Sequence, residues 1–255
     1  EGLDVDGIIS TDVGLRGENG KALQNFKNRG FVKIQNININ SKFFPSKFVV
    51  KEGLFKLKGN EISFENVMAN YKANRFIFNG NVSNYVNYIL KDEPLKGNIN
   101  FSTDKVNIDD FMAFNSGSSN SSSSEEGVIL LPKNINIEMM GKAKEILFKD
   151  LKLNNFNGQI SLNEGLLNLK ETQFDMIGSQ FNMNGTYTPI NNRKAKFSMN
   201  AKAKNFDIQR AYKEIALFRE MVSAAEKAKG KISMDYHLEG NLGADFFPKM
   251  KTLKG

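Results

Sequence analysis

From Lys194 to Lys204 the chain alternates without a break. Ala195, Phe197, Met199, Ala201 and Ala203 fall on one side, and Lys194, Lys196, Ser198, Asn200, Lys202 and Lys204 on the other. A period of two is the geometry of a β-strand, whose successive side chains point to opposite faces. The pattern recurs along the chain. Leu95, Gly97, Ile99 and Phe101 alternate with Lys96, Asn98, Asn100 and Ser102, while Ile232, Met234, Tyr236 and Leu238 alternate with Ser233, Asp235, His237 and Glu239. Phe76, Phe78 and Val82 mark another apolar face, as do Phe181, Met183 and Tyr187. One-sided strands joined by short Gly/Asn turns predict an antiparallel meander with one wet face. Fully buried parallel strands would read instead as unbroken apolar runs.

Glycines sharpen that expectation. Gly53, Gly80, Gly97, Gly165, Gly185 and Gly240 end or interrupt these strands, as turns or as bulges that let a sheet bend. A sheet bent repeatedly in one sense becomes a gutter. The fold expected is therefore mainly β, a curved antiparallel sheet forming an open groove or half-barrel. Its candidate lining is Phe76, Phe78, Ile99, Phe101, Phe181, Met183, Phe197, Met199, Ala201, Ile232, Met234, Tyr236 and Leu238. Helical signals are few. Asp207 caps an expected longer helix over 207–229, with Ile208, Tyr212, Ile215, Phe218, Val222 and Ala225 on one face and Gly230 as its stop. A short helix is expected over Lys21–Asn28 and a helical turn over Asp110–Phe114.

The chain also echoes itself. Glu52–Lys58 (EGLFKLK) returns as Glu164–Lys170 (EGLLNLK), Phe78-Asn79-Gly80 as Met183-Asn184-Gly185, and Asn107-Ile108-Asp109 as Asn205-Phe206-Asp207. Gly7–Gly17 resembles Gly230–Gly240. Repetition of this kind is read before any fold assignment. It divides the chain into a first β-unit over 1–114, a Ser-rich linker over 115–127, and a second unit over 128–255 that opens a further repeat.

With 255 residues, 21 Phe and no Cys, the chain has material for a large core but no thiol chemistry. A lone His237, sharing its strand face with Asp235 and Glu239, reads as an exposed polar position and makes no metal cluster. The acid pairs Asp109-Asp110 and Glu125-Glu126 point apart on a loop or strand, so helix capping or solubility accounts for them better than acid-base catalysis. No nucleophile elbow, zinc helix or phosphate loop occurs. An enzyme is not expected, nor a cofactor. The net charge of +7 comes mainly from dispersed Lys, without the clustered Arg of a nucleic-acid reader. No apolar run approaches the roughly 20 residues of a membrane span. The start, EGLDVDGIIS, lacks a signal peptide's basic and apolar regions and reads as internal to a longer protein.

Three segments carry a family resemblance. Phe76–Met112 runs strand, NG, short helical turn, PL-G, strand and N-x-D-D-F-M; Asn155–Tyr187 pairs strands with G-x-L-x-L and a closing NG; Gly230–Gly255 contains G-x-G-x-D-x-x-P-like spacing. Together they resemble the C-terminal region of the AsmA-like proteins of the bacterial envelope, whose relatives include TamB and YhdP. The resemblance implies a periplasmic β-groove, in a protein anchored in the inner membrane of a Gram-negative bacterium through regions outside this chain. It further implies bridge-type phospholipid transport in outer-membrane biogenesis, with an acyl-chain lipid as cargo and envelope proteins as partners. The alternative is a non-lipid scaffold or assembly module of the envelope, built as a closed β-sandwich.

Overall fold

The computed structural model describes residues 3–16, 27–41, 44–112 and 127–255. Twelve strands make one sheet whose spatial order is the order of the chain. They are β1 Leu3–Arg16, β2 Lys27–Ser41, β3 Phe44–Lys58, β4 Glu61–Tyr71, β5 Asn74–Ser83, β6 Leu95–Asn107, β7 Ile135–Phe148, β8 Leu151–Asn163, β9 Leu166–Met176, β10 Ser179–Asn191, β11 Lys194–Asp207 and β12 Lys231–Leu242. Every neighbouring pair is antiparallel except β6 and β7, which run parallel. An antiparallel pair needs only a hairpin, whereas a parallel pair needs a long crossover. The connection from β6 to β7 is such a crossover, and its described part opens on the short helix α2, Asp109–Met112. The sheet is thus mainly antiparallel as expected, mixed at one seam, and not closed into a barrel.

Pairing registers extend a single row of residues across all twelve strands. It reads Thr11, Val32, Phe55, Phe64, Gly80, Ile99, Met139, Ile160, Leu169, Gly185, Met199 and Leu238. The adjacent row, on the other face, reads Asp12, Phe31, Lys56, Ser63, Asn81, Asn98, Glu138, Ser161, Asn168, Thr186, Ser198 and Glu239. A slip of one residue in any strand would exchange its two rows. Apart from Thr11 at the β1 edge the first row is apolar or glycine, and apart from Phe31 the second is polar.

Registers also distinguish structural repeats from accidental ones. Shifted by 105 residues (171 − 66, 184 − 79), the β4–β5 hairpin lands on β9–β10. Asn66 and Glu171 are each left-handed bulge residues, and each donates its backbone N–H at 2.8 Å to the side-chain oxygen of Asn79 or Asn184. That capture of a bulge is what the repeated Asn-Gly does. The echo of Glu52–Lys58 in Glu164–Lys170 is not structural: the first lies inside β3, while Glu164 and Gly165 make the β8–β9 turn. Any one-sided strand with a Gly can generate such a match. The described part of Gly7–Gly17 lies in β1 and Lys231–Gly240 lies in β12, opposite edges of the sheet.

The helical expectations change in detail. Asp207 does cap, accepting the Arg210 N–H at 2.9 Å, but the 207–229 stretch is not one helix. It divides into α3 (Ile208–Glu214), α4 (Ala216–Met221) and a 3-10 turn at Ser223–Glu226. The break is at Ile215, extended at φ −117°, ψ 105°. Ile215 is drawn into the core beside Phe174 and Phe181, and the Asp150 carboxylate takes the Ala216 N–H at 2.6 Å. A distant carboxylate thus starts a new helix where the old one would continue. One more helix, α1 (Tyr85–Lys91), separates β5 from β6. The helix expected at Lys21–Asn28 lies outside the described residues except Lys27 and Asn28, which belong to β2, where pairing with β1 overrides a local helical pattern. The Ser-rich segment 115–127 also lies outside them, save Gly127.

Candidate functional site

All thirteen candidate groove residues lie on the apolar face. Phe78 is paired with Phe101, Ile99 with Met139, and Phe76 with Ala69. Farther along, Phe181 faces Ala203 and then Met234, while Met183 faces Ala201 and then Tyr236. Met199 meets Leu238, Phe206 meets Ile232, and Phe197 lies between Tyr187 and Gly240. Directly opposed residues in a sheet share a face, so the arrangement follows from register alone.

This face is concave. Among the described residues no second sheet packs on it, yet Ala143, Ala195, Ala201 and Ala203 are buried there. Ala195 packs in one cluster with Val128, Ala203 in one with Ala211 and Ile215, and Ala143 in one with Phe111, so segments beyond the strand ends help to cover them. Phe148, at the far end of β7, touches Phe246, beyond the opposite end of β12, with ring centroids 5.9 Å apart. A diagonal roll of the β7–β12 portion accounts for that contact. Residues Gly53, Gly80, Gly97, Gly185 and Gly240 lie within strands on this inner face; of the glycines singled out by sequence, only Gly165 makes a turn. At Gly80, a side chain would meet the Asn98 carbonyl oxygen at 2.2 Å, and φ is +150°. At Gly141, an added Cβ would lie 2.5 Å from the Phe101 ring, which occupies that space. An aromatic ring laid over a glycine restores the contacts that the glycine lacks.

Two rims bound the trough. On one, α3 and α4 place Ala211, Ile215 and Phe218 against Phe174, Phe181 and Phe206. On the same rim, α2 sets Phe111 against Tyr71 and Phe76. The Asp109-Asp110 pair does point apart. Asp109 accepts the Lys149 N–H at 2.9 Å from the β7–β8 turn, and Asp110 accepts from Lys72 and Asn74 in the β4–β5 turn, at 3.1 and 2.9 Å. Two carboxylates therefore tie separate hairpins to α2. The opposite rim carries α1 and the segment 127–134. There Val128 packs on Ala195 and Leu242, and the Tyr187 hydroxyl donates to the Ile129 carbonyl at 2.8 Å. Burial pushes the Tyr187 phenol well above its ordinary value.

Filling is uneven. Phe76, Phe181 and Ala201 are buried among their neighbours, whereas Phe78, Ile99, Phe101, Met183, Phe197, Met199, Met234 and Leu238 are half-buried. On the β12 edge, Ile232 and Tyr236 are 42% and 38% exposed. Sequence reading missed the rest of the floor, Val32, Phe55, Phe64, Met139, Ile160 and Leu169. Their alternation is broken by bulges such as Asn66 and Glu171, so only pairing aligns them.

The polar face has its own order. Lys202 pairs with Asp235 at 2.9 Å, and Lys105 with Glu145 at 2.9 Å. Hydrogen bonds from Lys152 and Lys105 hold the Glu145 carboxyl below its usual range. His237 lies there too, its Nδ1 3.0 Å from the Asn200 side-chain oxygen. A cavity of about 530 Å³ lined by Lys58, Asn60, Glu61, Ser83, Asn84, Glu93 and Lys96 opens at the α1 rim, away from the apolar face. Among the described residues, no cluster of His, Asp or Glu could hold a metal ion, and no helix is long and apolar enough to cross a membrane. No protein-family model, curated protein or solved structure matches this chain.

Proposed function

We propose that this chain is a segment of an AsmA-like, bridge-type lipid carrier, whose concave face shelters acyl chains. The observation that supports this reading best is the apolar row running from Val32 to Leu238 across eleven successive strands of one sheet. Burial of acyl surface stabilises a bound chain by about 25 cal/mol per Å². Because neighbouring strands offer similar contacts, a chain moves along the row without leaving one deep well for another. Headgroups stay at the rims, where Lys and Asn side chains meet water. No bond is made or broken. In this reading the segment works in the periplasm, within a protein anchored in the inner membrane through regions outside this chain.

A second reading is an envelope scaffold without lipid. It is favoured by the dry packing of Phe174, Phe181 and Phe206 under α3, where side chains already fill the trough. Lipid extraction and native mass spectrometry of the purified chain separate the two. The carrier reading expects retained acyl lipid, lost in Met199→Glu while the strand signal in circular dichroism persists. A chain that never retains lipid, and that unfolds on Met199→Glu, is a scaffold with a dry core.

A further inference from the structure

Of the exposed apolar side chains, Ile89, Leu90, Leu130, Leu166 and Ile190 stand on one rim of this molecule. Helix α1 buries none of its residues, and Ile89 and Leu90 on it are 71% and 55% exposed. A seven-residue helix has little stability of its own, so its apolar surface stands unfinished. Leu130, Leu166 and Ile190 are exposed on the same rim. Segment 127–134 joins these points. The Val128 N–H donates to the Asn192 carbonyl at the β10–β11 turn, and Lys133 lies beside Gly165 at the β8–β9 turn. At its end the Asn134 side chain donates to Asp92, just past α1, at 3.0 Å.

We propose that this rim docks on a lipid bilayer bearing anionic headgroups. The apolar side chains stand at four places along an edge, on α1, on 127–134 and at the ends of β9 and β10, and the cavity at that rim is lined by none of them. Separate points of that kind fit a soft surface that each can enter, to the depth of the headgroup boundary. Charge agrees. Lys58, Lys91, Lys96, Lys133, Arg193 and Lys194 accompany them, against Glu61, Asp92, Glu93 and Glu164. Of those acids, Asp92 is engaged by Asn134 and Glu93 by Asn84. Basic residues at a membrane surface are attracted to anionic lipid. Docking gives the trough a route for cargo only if the carrier reading holds, but the docking itself does not depend on it.

Vesicle flotation of the 255-residue chain tests the proposal. With phosphatidylcholine vesicles containing phosphatidylglycerol the chain is expected to float, less with phosphatidylcholine alone and less in high salt. The double substitution Ile89→Asp, Leu90→Asp should lower partitioning roughly tenfold or more, and Leu130→Asp with Ile190→Asp should act in the same direction. These positions are exposed, so circular dichroism should remain unchanged. A chain that floats with neither vesicle, or floats equally after all four substitutions, overturns the proposal. So does a concentration-dependent dimer dispersed by Ile89→Asp, which would assign the rim to a second copy. Retained lipid, measured separately by extraction, reports on the trough, so either reading can fail alone.

Discussion

Gly141 and Phe101 form a tight glycine–aromatic couple on the concave face. The ring lies where a Cβ would stand, so Gly141→Ala forces the ring off its position or the strands apart. We expect a cost of about 1–3 kcal/mol in urea unfolding, the usual range for overpacking a core. Phe101→Leu should relieve part of it, giving a double-mutant coupling; strict additivity of the two substitutions would refute the account. Asn79 and Asn184 act at the same scale on the other face, each holding one bulge N–H. The repeated Asn-Gly was legible in sequence as a marker, but its meaning was not. The donors, Asn66 and Glu171, share no residue type because a backbone N–H needs none.

Among the elements, segment 127–134 depends on the sheet it crosses. Tyr187 pins it by donating to Ile129, and burial keeps the phenol protonated in the folded state. A folded pKa raised above the unfolded value contributes stability that is complete below pH about 10 and is lost progressively as pH rises above it. Urea midpoints from pH 7 upward should therefore fall on the alkaline side, and fall less in Tyr187→Phe, which forfeits about 1 kcal/mol at neutral pH. Parallel profiles for the two proteins would count against the assignment. The α3–α4 break teaches the same lesson from the other side. Asp207 and the apolar periodicity were readable as a helix, and the cap is real. What ends the first helix is Asp150, contributed from the β7–β8 turn. No local pattern announces a partner that remote.

As a whole, the molecule is a chain of nearest-neighbour strand pairs, so its stability is close to a sum of local and adjacent terms. Backbone hydrogen exchange should be graded accordingly: fastest in β1, an edge strand exposed through Asp6–Asp12, and slowest in β5 to β8, which have neighbours on both sides. At β12 the tail pairs Lys254 with Glu239, so amides near Glu239 should exchange more slowly than those nearer Lys231. Uniform protection across all twelve strands would mean one cooperative unit instead. The tail thus covers part of the β12 edge.

Period-two alternation determined that this chain makes one-sided strands, and which side of each is apolar, because side-chain direction in a strand is a local property of the backbone. The thirteen groove candidates could be chosen on that basis. Tertiary structure alone decided that those faces join into a single concave surface. Register depends on bulges captured across strands, on a crossover that turns β7 parallel to β6, and on a diagonal roll that brings Phe148 to Phe246. Each of these is a contact between residues far apart in the chain, where hydrogen bonding and packing outweigh what any short segment encodes.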